Sequence, residues 1–232
     1  MSASDGEYNS YLLGEWRLFA ENGARQQQSV DGAAGIAIRD VLDVGCGGGQ
    51  EMIPFGRLGA TCVGIDISPE SAAFGRQMFG AHHPGMRVHF ATARAERLPF
   101  ADEAFDLVLC RVAIPYTDNR QALQEMARVL RPGGLLLLKT HHPRYYIRKA
   151  LDGLRQGSPL FTLHALRVLL SGALFQVVGR QPAGGMLLRE TYLTAGMLNR
   201  ELRRAGMSID GELPDSNPRT PSYRIRKPSS PR

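Results

Sequence analysis

The feature that most narrows what this chain can become is the segment Arg39-Asp-Val-Leu-Asp43-Val-Gly45-Cys-Gly47-Gly-Gly49, a short apolar run that ends in alternating glycines. The run RDVLDVG reads as a buried strand. Glycines let the backbone turn sharply and approach a ligand with no Cβ in the way. A helix is expected from the glycines through about Leu58, and its N-terminus offers free N–H groups and a partial positive charge. Many nucleotide-binding folds carry such a loop, so the detail matters. A dinucleotide fingerprint requires GxGxxG, whereas the sixth position counted from Gly45 is Gln50. The pattern here is DxGxGxG.

Downstream, strand-length apolar runs alternate with helical patterns, which predicts βαβ units and a parallel sheet. ATCVGID is the second strand, and Ser68-Pro69-Glu70 supply the cap, N1 proline and acidic first turn of a helix running to His82-His83-Pro84-Gly85. MRVHFAT and FDLVLCRVA read as strands three and four, Asp118–Leu130 as a helix, Arg131–Gly134 as a turn, and LLLLKT as a fully buried fifth strand. Thr194–Ala205 is an amphipathic helix closed by Gly206, followed by two short strands, MSIDGEL and SYRIRK. Ahead of all this, Tyr8, Leu12, Trp16 and Phe19 recur at helical spacing. Residues 144–189, with helices near Tyr145–Arg155 and Leu160–Val178, are too long for an ordinary connection and read as an insertion. The 232-residue chain suits one domain over 1–218, with an N-terminal helical segment over 1–35 and a basic strand-and-tail segment over 219–232.

Asp66 closes the second strand about 20 residues after the loop, where a carboxylate can accept both hydroxyls of a ribose; the plainer reading is a turn residue before the Ser68 cap. VLDVGCGGG, VGIDIS, RLPFADEAFDLVLC and LRPGGLLLL, in this order, resemble the class I S-adenosylmethionine-dependent methyltransferases, in particular the small ubiquinone/menaquinone-type branch. The resemblance covers roughly Val41 to Lys139, and TAGMLNRELRRAGMSIDG is similar to the family's last helix and strand. It implies a Rossmann-like, doubly wound, seven-stranded sheet, mostly parallel with a terminal antiparallel hairpin, and S-adenosyl-L-methionine as cofactor. Gly45 and Gly47, with Cys46 between them, would pass under its methionine part, Asp43 near the ammonium group. Asp66 would hold the ribose, Ile67 flank the adenine, the Ala95 backbone meet the adenine edge, and Cys110 and Arg111 border the methionine. One departure stands out. Relatives usually carry Asp where this chain has Arg94, and arginine cannot accept a hydrogen bond from adenine; Arg94 is expected to face solvent beside Glu96.

Methyl transfer from a sulfonium needs alignment and water exclusion, and a base only if the acceptor is protonated. The candidates are His141 and His142, after strand five, and Tyr116, after strand four. Against this, His141-His142-Pro143 can simply be a polar loop leaving the sheet. His82, His83 and His89 read as surface or strand residues, Tyr145 and Tyr146 as pocket or packing aromatics, and Arg17 and Arg25 as solvated, the alternative being that one of them reaches the cofactor carboxylate. The expected acceptor is a small molecule. RNA methylation and cofactor binding without methyl transfer, as in a cyclase or scaffold, are the alternatives.

The net charge of +6 invites a nucleic-acid reading, but five cations and no acid fall in the final stretch RTPSYRIRKPSSPR. A solvated tail is the expectation there, so nucleic acid is disfavoured. Cys46, Cys62 and Cys110 lie in or beside apolar runs and form no metal pattern; buried thiols, no metal and a reducing, cytoplasmic setting follow. No signal peptide is read at the N-terminus. No run reaches the ~18 consecutive apolar residues of a membrane span. The insertion, richer in apolar residues than a solvated helix should be, is expected to cover the acceptor or a second subunit in a homodimer.

Overall fold

The computed structural model describes residues 3–182, 184, 186–214 and 217–229. Seven strands, β1 (Asp40–Val44), β2 (Thr61–Asp66), β3 (Val88–Thr92), β4 (Phe105–Arg111), β5 (Leu130–Lys139), β6 (Ser208–Leu213) and β7 (Ser222–Arg226), form one sheet in the order β3-β2-β1-β4-β5-β7-β6. The first five are parallel, and β7 runs antiparallel to both β5 and β6. The strand order reverses between β1 and β4, which is where ligands of doubly wound sheets bind, outside the carboxyl ends of the strands.

Pleat alternation decides what each strand residue meets. Leu42, Val44, Val108, Cys110, Leu136 and Leu138 face one layer, with α5 (Asn119–Val129) and α9 (Ala195–Arg204) packed on it through Leu123, Met126, Leu198 and Leu202. Val41, Leu107, Leu109, Leu135 and Leu137 face the other layer, against Trp16, Phe19, Ile53, Phe55 and Phe79. The N-terminal periodicity is borne out by the buried Leu12, Trp16 and Phe19 of α1 (Ala3–Ala20). A second helix, α2 (Gly23–Gly32), follows it and is capped by the Asn22 side chain on the Arg25 N–H. After the glycine loop comes a 3-10 turn at Gln50–Met52 and only a five-residue helix, α3 (Ile53–Arg57). The Ser68 hydroxyl caps α4 (Pro69–His82) on the Ser71 N–H.

Two expectations are corrected. Arg131–Gly134 is not a free turn but part of β5, whose backbone exchanges hydrogen bonds with Lys227 at Gly133 and Gly134. Three of the C-terminal cations are not in a solvated tail: Arg224 and Arg226 both pair with Asp210, and Lys227 donates to the Leu130 carbonyl. β7 is an interior strand, so its side chains have neighbours on both sides; Ser230–Arg232 lie outside the described residues. Finally, the insertion forms α6 (Pro143–Arg155), α7 (Pro159–Val178) and the short α8 (Met186–Arg189). Thr162, His164, Arg167 and Ser171 interrupt any consecutive apolar run, yet as a helix Pro159–Val178 is long and apolar enough to cross a membrane.

Candidate functional site

The glycine loop is shaped by its backbone. Gly45 and Cys46 N–H groups both donate to the Ile65 carbonyl, which ties the loop to the end of β2. Gly45 and Gly47 sit at φ 71° and 51° and Gly49 at 79°, left-handed conformations disfavoured for residues with a Cβ. This alternation is what DxGxGxG encodes. At Gly45 an added Cβ would lie 2.3 Å from the Ala113 Cβ, so the loop and the segment after β4 approach as closely as glycine permits. That segment is itself unusual, because Val112 is β-branched and yet has φ 62°.

Two cavities flank the loop, and Gly45 is on the wall of both. The first, about 1180 Å³, lies under α1 and α2 and is lined at one end by Asp43, Cys46, Gly47, Gln50, Glu51 and Arg111. Asp43 is buried, and burial, then the Glu51 charge, holds its carboxyl well above the usual range, with Arg111 opposing. Glu51 Oε1 receives Arg25 Nη2 at 2.6 Å and lies 2.8 Å from Arg111 Nε. Asp43 Oδ2 and Glu51 Oε2 have no hydrogen-bond partner among the described residues. Arg25, expected to be solvated, is therefore part of the site, while Arg17 is exposed as expected. Glu51 was missed by sequence reasoning. Its signal was a carboxylate inside the otherwise apolar Met52–Phe55 neighbourhood, which a buried charge seldom enters without a partner.

The second cavity, about 880 Å³, is lined by Tyr8, Asp66, Ile67, Ala95, Ala113 and Tyr116 among others. Asp66 Oδ2 accepts the Gly47 N–H and Oδ1 the Ser68 N–H, both at 3.0 Å. Two carboxylate oxygens carry about four acceptor positions, so further donors can be met. Asp66 thus shapes the turn, as the plainer reading expects, and also lines the cavity. Tyr8, from α1, reaches across to Ser71 Oγ at 2.7 Å and closes this side. Arg94 is exposed, 3.5 Å from Glu96, and Glu96 itself accepts the Asp118 N–H.

Not every candidate reaches a cavity. Cys110 points into the α5 layer, opposite in the pleat to Arg111, and is fully buried with its thiol pushed up to about 12 by burial. Burial likewise raises the Cys46 thiol well above, and the Cys62 thiol to about 12. All three are free and buried, as expected. His142 is the N-cap of α6, its Nδ1 accepting the Arg144 N–H, so it is a helix cap and not a cleft residue. His141 is buried behind Tyr116: it stacks on Tyr145 at 4.0 Å and meets the edge of Tyr116 at 6.4 Å. Tyr146 Oη donates to Glu190 at 2.8 Å, which leaves its lone pair for the His141 Nδ1–H at 2.9 Å. Glu190 also receives His164 at 3.0 Å. Of the three acid–base candidates only Tyr116 lines a cavity wall, and burial, then the Glu190 charge, pushes its hydroxyl up.

A doubly wound sheet with a glycine loop at its switch point and an acid ending the next strand is an arrangement shared with nucleotide-binding α/β folds. Residues 42–138 match a family described as a methyltransferase domain. Over these residues the chain is similar to methyltransferases. It is 33% identical over 136 residues to the uncharacterized methyltransferase YcgJ of Bacillus subtilis, covering 58% of this chain and 53% of that one. Over 114 residues it is 39% identical to the ubiquinone/menaquinone biosynthesis C-methyltransferase UbiE of Hahella chejuensis, covering 47% and 46%. The chain spans about half the length of these curated relatives. A putative methyltransferase from Bacillus halodurans shares the fold, with a TM-score of 0.60 at 18% identity over 89% of this chain and all of that one.

Proposed function

We propose that this chain binds S-adenosylmethionine across Gly45 and methylates a small-molecule acceptor. The observation that carries the reading is Gly45 itself. It walls both cavities at once, with charged groups suited to an amino acid on one side and an acid suited to a ribose on the other. The residues fit the two ends of such a cofactor. Asp43 and Glu51 offer buried acceptor oxygens without a protein partner, which an ammonium group would satisfy. Arg25 and Arg111, in the same cavity, complement a carboxylate. Asp66 would hold the ribose, with Ile67 and Ala95 beside the adenine.

When bound, the cofactor supplies a methyl group on a sulfonium that is already activated for displacement. What the chain adds is alignment and exclusion of water. Tyr116, on the wall of the second cavity beside Gly45, has its hydroxyl pushed up by burial and would act there as a hydrogen-bond donor. The remainder of the first cavity, toward Tyr11, Gln28, Lys139 and Leu213, is left for a small acceptor. Three buried free thiols suit a reducing, cytoplasmic setting.

Titration calorimetry of Asp66→Ala with S-adenosylhomocysteine tests the reading. Loss of a charged acceptor for two hydroxyls is expected to raise the dissociation constant by about tenfold or more. An unchanged constant in a variant with a wild-type melting profile would remove the basis for this site.

A further inference from the structure

The α6–α7 hairpin is built inside out. Beside Tyr146, Val168 and Phe175, its inward residues are small or polar, and many of its outward ones are large and apolar. Gly153 of α6 leaves an added Cβ only 2.5 Å from Thr162 Oγ1 of α7, and Gly172 of α7 leaves only 2.3 Å to the Tyr192 ring. The helices therefore approach each other and the body of the protein through Gly153, Thr162, Ala165 and Gly172. That close contact turns Leu163, Leu166, Leu170, Leu174 and Val177, at helical spacing, to the outside at 50–86% exposure. On α6, Ile147, Leu151 and Leu154 are 46–66% exposed. Scattered apolar residues on a surface need no explanation, but a continuous stripe on two neighbouring helices marks an interaction face.

Charge says which partner this face suits. Residues 143–180 carry six cations, Arg144, Arg148, Lys149, Arg155, Arg167 and Arg180, against one carboxylate, Asp152. Arg144, Arg148, Arg155 and Arg180 are exposed. A second copy docking hairpin to hairpin would bring two strongly positive segments together. A surface with negative headgroups over an apolar interior complements both properties. The hairpin is not a lid, because no residue from 141 to 180 lines either large cavity. Nor is α7 free to span a bilayer: Val168 and Phe175 are buried in the core and Arg167 turns toward Glu190 at 3.7 Å.

We propose that the α6–α7 hairpin docks the protein on the anionic surface of a lipid bilayer, its leucine stripe in the acyl boundary and its arginines at the headgroups. The proposal does not rest on methyl transfer, and its readout needs no cofactor. The full chain is sedimented with vesicles of phosphatidylcholine alone or mixed with phosphatidylglycerol, at low and high salt. Binding to the mixed vesicles is expected to exceed that to the neutral ones by about tenfold or more and to weaken with salt. The variant Leu166→Gln/Leu170→Gln/Leu174→Gln is expected to lose about tenfold or more of that binding with an unchanged circular dichroism spectrum. A second variant, Arg148→Glu/Arg155→Glu, is expected to lose the preference for phosphatidylglycerol. Absence of wild-type binding, or binding by either variant that matches the wild type on both kinds of vesicle, would overturn the proposal. So would light scattering that gives twice the chain mass and returns to one chain in the leucine variant, since the occupant is then a second copy.

Discussion

Two groups of polar side chains are buried in this molecule, and the fold treats them in opposite ways. Beneath the glycine loop, Asp43 and Glu51 are enclosed while one oxygen of each lacks a partner, and burial holds the Asp43 carboxyl well above its usual range. Beneath the insertion, His141, Tyr146, Glu190 and His164 form a chain with partners at 2.8–3.0 Å. A buried polar group left unpaired costs free energy, and a paired one fixes a structure. The first group thus has the character of a binding site, and the second that of a fastening between the insertion and the sheet. His141, expected to be catalytic, belongs to the fastening, and His142 caps α6; the loop residues expected to bind a cofactor lie beside the first group.

The strongest way to break this comparison is Gly45→Ala. A methyl group 2.3 Å from Ala113, at a left-handed φ, has nowhere to go. Overpacking of this kind costs about 1–3 kcal/mol, and the expected result is a lowered melting temperature together with a fall of about a hundredfold in affinity for S-adenosylhomocysteine, read by calorimetry. Near-normal affinity would mean that the two cavities do not share one ligand.

The fastening makes a smaller, pH-dependent contribution. Burial, helped by Lys149 and Lys139, pushes the His141 pKa down to about 4, against about 6.5 when unfolded. The unfolded chain therefore binds more protons between these values, and stability present above pH 6.5 is lost as pH falls toward 4. Urea unfolding across this window is expected to show a loss on the order of 2 kcal/mol in the wild type beyond that in His141→Asn, which keeps an N–H for Tyr146 but cannot titrate. Parallel curves for the two proteins would show that His141 is already charged or solvated. The smallest effect sharpens the edge of the site. Arg94, exposed beside Glu96, is expected to change cofactor affinity by less than about threefold when replaced by Ala, and Arg94→Asp to improve it. A loss of about tenfold in Arg94→Ala would place its guanidinium on the ligand.

Much of residues 40–139 was legible because its main local signals each have one physical meaning. Alternating glycines demanded left-handed backbone, Ser68-Pro69 demanded a helix start, and the apolar runs had room only inside a sheet. Glu51 and Arg25 were not legible, since their pairing joins residues from α2 and the loop that only the tertiary fold brings together. Cys110 and Arg111 show the limit of reading strand ends from sequence alone, as adjacent residues point to opposite layers. His142 illustrates a different limit. A polar residue before Pro143 and a helix is a cap by local rules, and that rule overrode the expectation of chemistry.

The position of β7 has a consequence for how the molecule is made. β6 comes earlier in the chain, yet its only neighbour in the sheet is β7, and β7 alone connects it to β5. During synthesis the ribosome releases a β5 edge and a β6 segment that cannot yet pair with each other in the native arrangement. The sheet is complete only once Ser222–Arg226 is paired with both, with Arg224 and Arg226 on Asp210 of β6. Until that step, the growing polypeptide carries an open strand edge of the kind that recruits foreign strands. The family-matched residues 42–138 are by then already out, so the half that holds the glycine loop emerges early and the half that seals the sheet arrives last.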